Sequence, residues 1–144
     1  MVRYRLKSAL ISAVCLASGL AIYIFMRSDT YFHGFLPQEL KVFLSGISNA
    51  VPDNILTDFL RFWFVDFLWG ASLNFALISV SAEANKKNFI ITSCVSFSVG
   101  AVFEIAQKFL LVSGTFDVFD VAMYAAASVL CAVISVKLFL RSRV

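Results

Sequence analysis

Apolar residues fill this chain in four long blocks, broken by short polar stretches. The blocks run from about Ser8 to Met26, Phe62 to Ala82, Phe89 to Val112 and Asp120 to Leu140. Each is close to the roughly 20 residues of helix that cross a bilayer. Backbone groups in hydrocarbon must be paired within the protein, and a helix pairs them within one segment. The pattern therefore predicts an all-α polytopic membrane protein, a four-transmembrane-helix bundle forming one domain over residues 1–144.

The connection between the first two blocks has its own period. Leu36, Leu40, Phe43, Leu44, Ile47 and Val51 recur at spacings of three and four, which gathers them on one helical face. Gln38, Glu39, Lys41, Ser45 and Ser48 occupy the rest of the surface. Such an amphipathic helix, over about 37–50, is expected to lie along the membrane interface rather than to cross it. Pro52 suits the first turn of a following helix, where its missing donor is not needed. That helix is expected to pass through Asp58 and Arg61 into the second span. Aromatic residues crowd this boundary, among them Trp63 and Trp69, and a tryptophan at the start of a span is commonly an interface anchor.

Composition strengthens the membrane reading. Hydrophobic residues make up 60% of the chain and the mean hydropathy is +0.87, against an apolar share of about half in soluble domains. The net charge is only +3, and no basic stripe exists to track phosphates, which excludes nucleic acid as a partner. Three groups at span ends hold the basic residues Arg3, Arg5 and Lys7, then Lys86 and Lys87, then Lys137, Arg141 and Arg143. Four crossings put all three groups on one side, so the positive-inside rule predicts cytoplasmic termini and an outward-facing 27–61 segment. The first block is longer than a signal-peptide core and lacks a small-x-small cleavage site, so it reads as an uncleaved anchor. Val14 before Cys15 does not fit a lipoprotein site.

Candidate chemistry is sparse. Cys15, Cys94 and Cys131 all lie in apolar spans and read as packing residues rather than a disulfide framework. The single histidine, His33, has no partner at ligand spacing, so no metal or other cofactor is expected. Glu104 stands out because an acid inside a span marks function by default. It lies about eight residues, roughly 12 Å, from the expected outer end of the third span. Gly100, Glu104, Gln107, Lys108 and Leu111 share its face, and Glu104 precedes Lys108 in the favourable order for pairing. Asp66, Gly70 and Asn74 line a face of the second span, and Asp117, Asp120, Tyr124 and Ser128 one of the fourth.

Convergence of these faces would form an outward-opening polar pocket, the helices approaching closely at Gly70, Gly100, Ala101 and Ala127. Its candidate ligand-binding residues are Asp66, Glu104, Gln107, Asp117, Asp120 and Tyr124. Structural readings compete. Asp117 and Asp120 suit the capping of the last helix. Lys108 can neutralise Glu104, Asp66 can reach headgroups, and Asn74 reads as an interhelical hydrogen-bond donor.

A resemblance enters through these residues. Phe103-Glu104-Ile-Ala-Gln107, a turn, and Gly114-Thr115-Phe116-Asp117-Val-Phe-Asp120-Val-Ala-Met-Tyr124 resemble the signature of VanZ-like membrane proteins. Asp66-Phe-Leu-Trp69 resembles the segment that opens an earlier span in some members. The chain departs from the family pattern in having no arginine between Lys108 and Asp120, and Tyr124 with Ala127-Ser128 where asparagine and glycine are common. The resemblance implies a bacterial inner-membrane protein of the cell envelope, with a link to glycopeptide antibiotic resistance.

The expected function is an envelope protein whose pocket binds a lipid-linked or cell-wall-related ligand among membrane lipids. The alternative is a non-catalytic accessory subunit packed on a larger membrane-protein partner. Less favoured is an intramembrane enzyme with Glu104 as general base and Asp120 as its partner, since no nucleophile motif, phosphate loop or metal set is present. Four spans without an inverted repeat make a poor carrier. Polar faces that meet around a cleft favour a ligand, whereas faces on a flat seam favour a subunit.

Overall fold

A computed structural model describes residues 2–27 and 34–140, and His33, Arg141 and Arg143 lie outside it. The described chain is helical: α1 (Val2–Met26), α2 (Gln38–Ala50), α3 (Ile55–Asp58), a π-helical stretch (Phe59–Phe64), α4 (Val65–Val80), α5 (Lys86–Lys108) and α6 (Val118–Ser135), which ends in a second π-helical stretch (Val136–Leu140). Four helical runs are long and apolar enough to span a membrane: Tyr4–Met26, Ile55–Val80, Lys86–Lys108 and Val118–Phe139.

Helix α4 is the hub, packing against α1, α5 and α6. The bundle inverts the polarity of a water-soluble one. Leu6, Leu10, Val14, Leu16 and Leu20 of α1 point outward, while Ser8, Ser72, Ser93, Ser96, Ser128 and Ser135 are buried. Between helices in lipid, small side chains permit close approach and polar ones supply interhelical bonds. Ser12 Oγ donates to the Ser72 carbonyl (2.8 Å), and Ser72 Oγ donates back to that of Ser12 (3.0 Å). Ser96 Oγ donates to the Gly70 carbonyl (2.9 Å), and Asn74 Nδ2 donates to Ser93 Oγ (2.8 Å), the interhelical role expected of it. The three cysteines are free, with Cys131 buried and Cys94 exposed.

Two helix boundaries differ from the sequence expectation. The second span starts at Ile55, capped by Asn54, whose side chain accepts from the backbone N–H groups of Leu56 and Thr57 (both 3.0 Å). Pro52 stands two residues before this cap and not in the first turn, where the Asn54 side chain meets the orphan amides. The third span stops at Lys108, not near Val112. Leu110 turns into the left-handed region (φ 57°), its N–H bonds the Gln107 carbonyl, and the Leu111 N–H bonds that of Ala106, each at 2.9 Å. This is a Schellman closure, usually built on glycine. A leucine there gives no sequence warning, and Leu111 consequently leaves the face assigned to it.

Helix α2 covers the expected stretch, and Ser48, which the spacing put on its polar surface, is buried. Its Oγ donates to the Met26 carbonyl at the end of α1 (3.1 Å), and Leu44 is buried too, whereas Leu40 and Phe43 remain exposed.

Candidate functional site

The end of the bundle that carries Arg27 and Arg61 is shaped by the π-helical stretch. A π-turn opens the regular ladder of a helix, and here Arg27 reaches the displaced carbonyls: Nε donates to Arg61 O (2.9 Å) and Nη2 to Phe62 O (3.3 Å). The guanidinium also stacks on the rings of Tyr23 (5.4 Å) and Phe62 (5.2 Å). Arg27 is thereby held at the junction of α1 and the second span. Arg61, on the same stretch, pairs with exposed Asp53 (3.5 Å), and its Nε is buried without a hydrogen-bond partner among the described residues.

Deeper in the same end, Tyr124 joins two helices. Its hydroxyl donates to Asp66 Oδ1 (3.1 Å). Its ring passes between Gly70 and Gly100, where a Cβ would lie 3.0 and 2.4 Å from ring atoms, respectively. At Gly100 only glycine admits it, and at Gly70 a side chain would press on it.

The last polar layer spans α5 and the start of α6. Asp117 is the N-cap of α6, its Oδ1 accepting from the Phe119 N–H (2.8 Å). Its other oxygen accepts from Trp63 Nε1 (3.1 Å), and its own backbone N–H donates to Glu104 Oε2 (3.3 Å). Glu104 is only 3% exposed. It lies four residues from the observed end of α5, about 6 Å, half the depth expected. Its partner is the Asp117 amide and not Lys108, whose Nζ sits over the Phe116 ring at 5.1 Å. The Gln107 side chain lies against Gly114, whose φ of 141° and missing Cβ leave it room.

These layers enclose a cleft of about 670 Å³. Tyr23, Met26 and Arg27 of α1 form one wall, and Arg61, Phe62, Trp63, Asp66 and Trp69 of the second span another. Phe103, Glu104 and Gln107 of α5, the 113–115 turn, and Asp117 with Asp120 complete it. Asp66, Glu104, Gln107, Asp117 and Asp120 thus line one cavity, and Tyr124 supports it through Asp66. Asn74 and Ser128 are buried elsewhere in the bundle. No group of three or more metal-ligating side chains occurs among the described residues.

Sequence reasoning missed Arg27 and Arg61. The available signal was their position: they are arginines at the ends of apolar blocks, outside the three basic groups that set the orientation. Trp63, at the start of the second span, bonds Asp117. Comparison with known proteins finds no matching family, no similar curated protein and no similar solved structure.

Proposed function

We propose that this protein is a VanZ-like, envelope-associated protein of the bacterial inner membrane that binds a lipid-linked or cell-wall-related ligand in the cleft around Asp66, Glu104 and Asp120. Both termini are cytoplasmic in this reading, α2 lies on the outer interface with Leu40 and Phe43 dipping towards acyl chains, and the cleft opens outward. The observation that carries it is the convergence: polar faces from separate helices meet around one cavity of about 670 Å³ instead of spreading over a flat seam. That size falls within the range of small-molecule sites, roughly 300–1,000 Å³. Acids this close to the bilayer core are costly unless they serve a partner or a ligand. The link to glycopeptide resistance rests on the resemblance of the Glu104–Tyr124 segment.

Glu104→Gln is the sharpest test, because the amide oxygen can still accept from the Asp117 N–H while the charge is lost. The variant is expected to accumulate normally and to lose the small molecule that co-purifies with the wild-type protein in native mass spectrometry. Asp120→Asn should behave alike. Retention of the same molecule in both variants would reject the cleft as its site. A co-purifying protein, unchanged in both, would favour the accessory-subunit reading.

A further inference from the structure

The cleft holds charges of both signs that face one another without pairing. Arg27 lines the same cleft as Asp66 and Asp120, yet the only ion pair among the described residues joins Arg61 to Asp53. Arg27 cannot swing to meet the acids, because two backbone carbonyls and two aromatic rings hold its guanidinium. Among the described residues its Nη1 makes no hydrogen bond, and Arg61 Nε is buried without a hydrogen-bond partner.

The acids are committed only in part. Asp66 accepts from Tyr124 through one oxygen, and Glu104 accepts from the Asp117 amide through one oxygen. Among the described residues Asp120 receives no backbone or hydroxyl donor. Asp117 differs from them, since both of its oxygens are used, one by the helix cap and one by Trp63. Fixed donors on one wall and spare carboxylate oxygens on the other complement a ligand that carries both charges.

Resting on the cleft reading above, we infer that the ligand carries a phosphate-linked primary ammonium, the headgroup chemistry of a phosphoethanolamine lipid. The phosphate meets Arg27 and Arg61, since guanidinium donors match phosphate oxygens. The ammonium sits among Asp66, Glu104 and Asp120, its three N–H donors meeting their spare acceptors. Phe62 and Phe103 line the cleft yet stay 45% and 50% exposed. They offer acyl chains an apolar path, so the headgroup enters sideways from the bilayer. A quaternary ammonium has no N–H to donate, and a glycerol headgroup has no cation. Both fit less well.

The test is native mass spectrometry of the full-length protein, delipidated in detergent and titrated with palmitoyl-oleoyl phosphatidylethanolamine, phosphatidylcholine or phosphatidylglycerol. Phosphatidylethanolamine should be retained at least tenfold more strongly than either of the others. Arg27→Gln should lower its retention about tenfold. Asp66→Asn combined with Asp120→Asn should bring it down to the level of phosphatidylglycerol. Competition with soluble glycerophosphoethanolamine separates a free headgroup, which displaces the lipid at equal concentration, from a membrane lipid, which it does not displace. Equal retention of all three lipids by the wild-type protein overturns the inference, a result that stands even where the double variant fails to fold. If a different envelope molecule is retained in a Glu104-dependent way, this assignment falls while the cleft reading survives. If nothing retained depends on Glu104, the cleft reading falls as well.

Discussion

The two ends of the bundle handle the same materials in opposite ways. At the end near the amino terminus, Tyr4, Phe89 and Phe139 pack in a chain, with ring centroids 6.2 and 6.0 Å apart. Tyr4 Oη donates to Ser81 O (2.8 Å), and Arg5 Nη2 donates to Ser81 O (3.0 Å) and Ala82 O (3.3 Å), the carbonyls of the C-cap of α4 and of the residue after it. A cation at that position also suits the helix dipole. At the other end, Arg27 likewise donates to two backbone carbonyls, but aromatic side chains line a wall instead of filling the middle. One arginine closes an end that rings have already filled, and the other holds open an end lined with acids. The difference lies in what occupies the centre, since both arginines meet backbone oxygen in the same way.

Breaking the closed end should cost the most stability and the least ligand. Phe89→Ala removes a ring that is 0% exposed and is expected to destabilise the fold by about 3 kcal/mol, the low end for such truncations because lipid weakens the transfer part of the cost. Detergent-resistance melting should show the loss, with unchanged retention of the co-purifying molecule by the protein that remains folded. A loss of that molecule at low temperature would mean that the two ends are coupled.

Gly100→Ala tests the open end. The added Cβ would meet the Tyr124 ring at 2.4 Å, so the ring must move and its bond to Asp66 must stretch. About 1–3 kcal/mol of overpacking is expected, together with weaker retention of the ligand. If retention is unaffected, Tyr124 does not position Asp66. The smallest effect belongs to the turn between the ends of α5 and α6. Leu110→Gly relieves a left-handed leucine, worth about 1–2 kcal/mol, but adds unfolded-state freedom of about 0.5–1 kcal/mol. A net gain near 0.5 kcal/mol in thermal stability should follow, and a loss would show that the exposed Leu110 side chain anchors the turn.

Much of this was legible in the residues. The four spans follow from length and apolarity alone, because hydrocarbon accepts no unpaired backbone and leaves few alternatives to helix. The polar faces on the second, third and fourth spans follow from helical spacing, and five of the six candidate residues line the one cleft that those faces enclose. Asp117, a candidate both for the ligand and for the cap of the last helix, is that cap and lines the cleft as well. Other features depended on neighbours remote in sequence. Arg27 and Arg61 are 34 residues apart, and they meet because a π-helical stretch exposes carbonyls that no local pattern announces. The early end of α5 hangs on a leucine in a conformation that sequence assigns to glycine. Glu104 had a lysine at ideal spacing and bonds instead to an amide 13 residues away. Local pattern determined which faces are polar, because periodicity is a property of one helix. Which charge meets which partner was decided by packing, because the partner of a buried group is whatever the other helices bring within reach.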